Sequence, residues 1–174
     1  LITKNNLQFP VGLVYEDQPF SIQAMQLAKG ITVVNEPLYY YRKNAGGSIT
    51  DNEKKNDRYK FNFLEITRLS KTFMKEQGVY DVLRKEYMPY HFFNAAVHQH
   101  YITDKKKFKE FFDKMRELTS TEDFEVLKQT KQEYLADKYL EALESNNYKK
   151  FYRFSNKVSL AKKILRPERK NKRK

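Results

Sequence analysis

Four features in the first 50 residues carry groups able to do chemistry. They are the adjacent carboxylates Glu16 and Asp17, the segment Tyr39-Tyr40-Tyr41-Arg42, the Gly46-Gly47 loop, and Ser48-Ile49-Thr50. Each also has a plain reading. A carboxylate at a helix start is a proton acceptor or an ordinary N-cap, and the N-cap is the commoner role. Arg42 beside a Gly-Gly-Ser turn equally suits a surface arginine. Three tyrosines in a row alternate faces as any half-buried strand does. The histidines lie elsewhere, at 91, 98 and 100. His98 and His100 are two apart and do not share a helix face, so polar positions on an aromatic helix suit them better than a zinc site. The chain has no cysteine. That removes disulfides, Cys-based zinc sites, thiol nucleophiles and dithiol redox chemistry.

These residues need elements to position them. Glu16-Asp17 opens a helical pattern with Phe20, Ala24, Leu27 and Ala28 on one face. Pro19 suits its first turn and Gly30 its C′ stop. Ile31–Val34 and Leu38–Tyr41 read as short strands, interrupted by Asn35-Glu36-Pro37. From residue 51 the pattern is helix after helix. Asp51 or Asn52 caps a first, with Phe61, Leu64, Leu69 and Phe73 on its core face and a stop at Gly78. A second runs from Asp81 to Ile102, apolar on most sides, with Pro89 kinking it or marking its true start. Phe108, Phe111, Phe112, Met115 and Leu118 define a third. A capping box, Thr119 with Glu122 or Ser120 with Asp123, opens a fourth that runs to about Glu144. A fifth covers about 148–165 and ends before Pro167. The expected fold class is therefore α+β and mainly helical: short strands and the acidic-pair helix, then about four to five packed helices. The divisions fall at residues 1–52, 53–165 and a disordered basic tail, 166–174.

The 174 residues hold 34 Lys and Arg against 22 Asp and Glu, a net of +12. The excess is not spread evenly. Residues 1–50 carry four bases and three acids, residues 51–145 carry 18 of each, and residues 146–174 carry twelve bases and one acid, Glu168. The body is near neutral and the end is strongly basic, which points to an anionic partner. The 13 Phe and 13 Tyr are enough to build a core, so wholesale disorder is not expected. No stretch approaches the roughly 18–20 apolar residues of a spanning helix. No secretory signal is visible behind Leu1-Ile2-Thr3-Lys4.

Read in order, the first 52 residues carry a resemblance. The run Phe9-Pro10-Val11-Gly12-Leu13-Val14-Tyr15-Glu16-Asp17-Gln18-Pro19-Phe20 is followed by Ala28-Lys29-Gly30-Ile31, Pro37-Leu38-Tyr39-Tyr40-Tyr41-Arg42 and Gly47-Ser48-Ile49-Thr50. This order and spacing resembles the end of the catalytic domain of family 2 inverting glycosyltransferases, which have the GT-A fold. The resemblance implies that Asp17 is the general base that takes the acceptor hydroxyl's proton, with Glu16 shaping the site or binding the acceptor. It implies that Arg42 and Ser48 sit at the donor's diphosphate. A guanidinium beside free backbone N–H groups suits that charge. The family's nucleotide-binding half and its metal-binding Asp-x-Asp lie upstream of the acidic pair, and the chain contains neither. The expectation is thus a C-terminal fragment of a hexosyltransferase-like enzyme, inactive alone. The full-length protein would use a divalent metal, Mg or Mn, whose ligands are not in this chain.

Further expectations concern partners and place. They are a nucleotide-sugar donor and a saccharide or lipid-linked acceptor, as in polysaccharide, teichoic-acid-like or capsule synthesis in the cell envelope. The location would be cytoplasmic, peripheral at the inner face of the plasma membrane. Residues 148–174 interleave Tyr148, Phe151, Tyr152 and Phe154 with Lys149, Lys150, Arg153 and Lys157. That pattern suits an anionic membrane surface or, equally, a core-packing helix with a charged end. An apolar patch left on the helical extension would favour oligomers. The alternative function is a basic helical module that binds nucleic acid or another partner. Against nucleic acid, the neutral body shows no basic recognition helix.

Overall fold

The computed structural model describes residues 1–40, 57–99, 102–130 and 134–165. Among these residues all regular structure is helical: a 3-10 turn at Thr3–Asn5 and seven α-helices. The helices are α1 (Asp17–Leu27), α2 (Arg58–Glu76), α3 (Tyr80–His98), α4 (Lys105–Leu118), α5 (Thr121–Gln129), α6 (Tyr134–Glu144) and α7 (Tyr148–Leu165). No strand forms among the described residues. Ile31–Val34 and Leu38–Tyr40 are β-branched and aromatic as a strand should be, yet they are exposed, with Val33 at 85% and Tyr40 at 90%. Strand propensity measures fit to a pleated, half-buried surface, and this segment has no such surface against it. Tyr41, Asp51 and Asn52 lie outside the described residues.

Backbone contacts divide the chain into two compact units, Leu1–Val82 and Leu83–Lys174. In the first, α1 packs on α2. Leu7, Pro19, Leu64, Ile66, Met74 and Tyr80 are buried. The face of α2 is more polar than its sequence suggests: Asn62, Thr67, Ser70 and Lys71 are buried, while Phe61, Leu69 and Phe73 are half-buried. The Lys71 and Lys75 ammonium groups lie over the Tyr80 ring, 5.1 and 5.5 Å from its centre. The ring's negative face thereby offsets part of the cost of removing Lys71 from water. Gly78 ends α2 as its type predicts. It takes φ 68°, its N–H donates to the Lys75 carbonyl, and the Val79 N–H donates to the Met74 carbonyl. Gly30 plays no such part. Extended Ala28 (ψ 135°) ends α1 and leads the chain straight out, so no left-handed residue is needed.

The second unit is organised around aromatic rings. α4 buries Phe108, Phe111, Phe112 and Met115, the stripe its spacing predicts. α6 contributes Tyr139 and α7 contributes Phe151, both fully buried. Phe151 has its ring centre 5.0 Å from Phe112, 5.0 Å from Tyr139 and 5.9 Å from Phe108. These tilted, edge-on arrangements suit ring quadrupoles better than face-to-face stacks. They lock α7 onto α4 and α6. α3 runs through Pro89 rather than starting there, and Met88, Phe92, Ala95 and Ala96 on it are buried.

The stretch predicted as one helix to Glu144 is two. α5 stops at Gln129, where Thr130 turns extended (ψ 130°) and its hydroxyl donates to the Val126 carbonyl. A β-branched residue whose hydroxyl back-bonds to the helix favours such an exit. α5 opens with the reciprocal capping box of Ser120 and Asp123. Asp123 is fully buried: one carboxylate oxygen accepts from the Ser120 N–H, and the other pairs with Arg84 of α3 at 3.2 Å. α6 ends with Asn146 at φ 51° and the Asn147 N–H on the Ala142 carbonyl. The Asn147 side chain then accepts from the Lys150 N–H and caps α7. A three-residue link thus fixes both helix ends.

Two stability measurements follow. Phe151→Ala should cost about 3–5 kcal/mol by denaturant unfolding, because three rings lose their common partner. Tyr139→Phe should change stability by less than about 1 kcal/mol, since the buried hydroxyl makes no well-aligned hydrogen bond to lose. Ser155 and Gln99 are near enough only to moderate the burial that pushes that hydroxyl up to about 12.

His91 supplies a pH test. It is buried against the Tyr87 and Tyr90 rings, and burial lowers its pKa from 6.5 to about 4. Protonation therefore favours the unfolded chain. The contribution of His91 is complete above about pH 6.5 and is lost as pH falls toward 4, a change on the order of 3 kcal/mol. Melting curves of His91→Gln should show a shallower loss of stability across that window than wild type.

Candidate functional site

The acidic pair sits at the entrance of α1. Glu16 is the N-cap and Asp17 the first helical residue. Glu16 makes no capping bond with its side chain, and neither carboxylate has a hydrogen-bond or ion-pair partner among the described residues. Asp17 is exposed and Glu16 half-buried. The positive end of the helix favours a charge at both positions.

The chain reaches this entrance by a forced turn. Gly12 takes φ 78° and Tyr15 takes φ 68°. The left-handed conformation is free to glycine but costs a tyrosine on the order of 1 kcal/mol, so it must be held from outside. Three residues of α2 hold it. Arg58 donates from Nη2 to the Gly12 carbonyl at 2.5 Å. Asn62 Oδ1 accepts from the Val14 N–H at 3.2 Å. The Phe63 ring meets Tyr15 edge-on, centres 5.9 Å apart. On the other side Phe9 stacks on Phe20 at 4.1 Å, and buried Pro19 fills the first turn of α1. The backbone on both sides of Glu16-Asp17 is pinned, with Asp17 exposed and Glu16 half-buried.

The remaining residues of the predicted site, Arg42 and Ser48, lie outside the described residues, as does His100. His98 is the last residue of α3. His91 is a core residue. Among the described residues no group of three or more His, Asp or Glu side chains is placed to hold a metal ion. Glu16 and Asp17 alone do not make a magnesium or manganese ligand set, because such sites need further oxygen donors converging on one point.

Sequence reasoning did not find the anchors. Gly12 offered a signal, as a glycine before a helix start. Asn62 and Arg58 offered none, since they lie 48 and 46 residues from the backbone groups they bind. A second cluster was found in part. Lys149, Lys150, Arg153 and Lys157 were visible as a basic run, but not that Lys138 and Asn147 join them around one groove. The aromatic partners of that run turn inward. Phe151 is buried and Phe154 packs on Tyr139 with centres 4.9 Å apart. Among the described residues no helix is long and apolar enough to cross a membrane.

Compared with known proteins, the chain matches no protein-family model and no curated protein or solved structure significantly.

The pinning itself is testable. Phe63→Ala should free Tyr15 and raise amide hydrogen exchange at residues 13–18 by about tenfold or more, while exchange in α4–α7 stays unchanged.

Proposed function

We propose that residues 1–52 belong to the catalytic domain of an inverting, GT-A-type family 2 glycosyltransferase, with short strands at Ile31–Val34 and Leu38–Tyr41 completing an α+β domain. The observation that carries this reading is the presentation of Asp17. It is an exposed, unengaged carboxylate at a helix start whose backbone is anchored on both sides. The exposed, strand-like residues Ile31, Val33, Val34, Leu38 and Tyr39 support it too. Their composition suits a sheet built jointly with a donor-binding half that these residues do not include.

In this reading the acceptor hydroxyl gives its proton to Asp17 as its oxygen forms the bond to the sugar's anomeric carbon. The bond from that carbon to the nucleoside diphosphate breaks, and its electron pair leaves with the diphosphate. Glu16 orients the acceptor. Arg42 and Ser48 meet the diphosphate's negative charge. No step is assigned to a metal through this chain's residues. The substrate class is a nucleotide sugar and a saccharide or lipid-linked acceptor in cell-envelope polymer synthesis, at the inner face of the plasma membrane.

The experiment is sugar transfer by the full-length protein. Asp17→Asn should lower kcat by about 10²–10⁴-fold with KM for the donor little changed. Glu16→Gln should act mainly on KM for the acceptor. Unchanged turnover in Asp17→Asn would end the proposal. So would turnover of sugar nucleotides by the 174-residue chain alone, for the view that it is an inactive part.

A further inference from the structure

The basic groove of the second unit has no role in that proposal. It is an open groove of about 520 Å³ along α6 and α7, lined by Lys138, Asn147, Lys149, Lys150, Arg153, Phe154 and Lys157. Five of these seven side chains are cationic. Among the described residues Glu141 pairs with Lys150 and lies 3.9 Å from Lys138. Lys150 in turn holds the Glu141 carboxyl below its ordinary range. Lys149, Arg153 and Lys157 have no carboxylate partner among the described residues.

The geometry is not that of a scattered solvated face. Lys149, Arg153 and Lys157 recur every four residues and form one line along α7. Phe154, packed on Tyr139, gives the groove an apolar wall. At the end nearest the α6–α7 link, Asn147 spends its carbonyl oxygen on the Lys150 N–H, which leaves its amide N–H groups as neutral donors. The start of α7 adds its own positive end there. The buried Phe151 holds this face of α7 in place from below.

We propose that this groove is a binding site for an anion carrying two or more closely spaced phosphate groups. Lys149, Arg153 and Lys157 supply the charge, with Arg153 forking onto one phosphate. Lysines act as point charges on phosphate, and the guanidinium adds paired donors. A single carboxylate would leave most of the line unanswered; a chain of phosphates matches it. A free polyphosphate-type metabolite and a phosphate-bearing lipid headgroup present the same chemistry. The site does not depend on the reading of Asp17.

The test uses the full chain and tripolyphosphate, followed by isothermal titration. The expected result is one tripolyphosphate bound per chain. Arg153→Glu, an exposed position that should leave the fold intact by circular dichroism, should weaken it at least about tenfold. Two controls carry the same charge change elsewhere: Lys85→Glu on α3, and Lys29→Glu just beyond α1. Each should change affinity less than about twofold, since neither lines the groove. Equal losses in all three variants would overturn the proposal in favour of non-specific attraction to a basic chain. So would no binding, or tight binding of a short DNA duplex but not of tripolyphosphate. Vesicles with and without a diphosphate-bearing polyprenyl lipid distinguish the source. Binding that needs the diphosphate lipid and is lost in Arg153→Glu assigns the groove to a lipid headgroup. Tripolyphosphate binding without vesicle binding assigns it to a soluble phosphate compound.

Discussion

The second unit depends on the burial of Phe151. One ring, shared by Phe108, Phe112 and Tyr139, fixes where α7 lies against α4 and α6. With one side of the helix committed to the rings, Lys149, Arg153 and Lys157 have only the outer side left. The α6–α7 link works with this constraint. Asn146 in the left-handed region ends one helix and Asn147 starts the next, so the two helices have little freedom to slide before the rings engage.

The first unit solves a different problem. It must hold a turn that its own sequence disfavours. Tyr15 stands in a conformation natural to glycine, next to the acidic pair. The cost is met by contacts from α2, which approaches from far along the chain. Strain kept beside unengaged carboxylates is a pattern found where a backbone must present a group at a fixed angle. The buried pair of Arg84 and Asp123 does comparable work in the second unit, since the carboxylate that completes a helix cap also ties α5 to α3.

The sequence was most legible where one side chain type repeats at one period. The α4 stripe from Phe108 to Met115, the Ser120–Asp123 box and the extent of α7 all follow from local pattern. Gly78 does too, because its stop needs nothing beyond the helix it ends. Legibility failed where a distant partner decides. Asn62 is an unremarkable polar residue until Val14 arrives. Ile31–Val34 has the composition of a strand, and composition cannot supply the neighbour that a strand requires. Thr130 broke a helix that propensity alone would have continued. Of the candidate site, Glu16 and Asp17 could be read directly as a helix entrance. Their anchors could not, and neither could the contribution of Lys138 to a groove formed mainly by α7.

The line of charge on α7 also has an internal cost. Positions four apart on a helix are separated by roughly 6 Å along its axis, inside a Debye length of about 8–10 Å at physiological ionic strength. Lys149, Arg153 and Lys157 therefore repel one another, and Phe151 keeps them together against that repulsion. Dissolved salt relaxes the strain by screening. The same screening loosens the hold of the groove on any anion. Ionic strength thus pulls two properties of one helix in opposite directions, firming the scaffold while emptying the site.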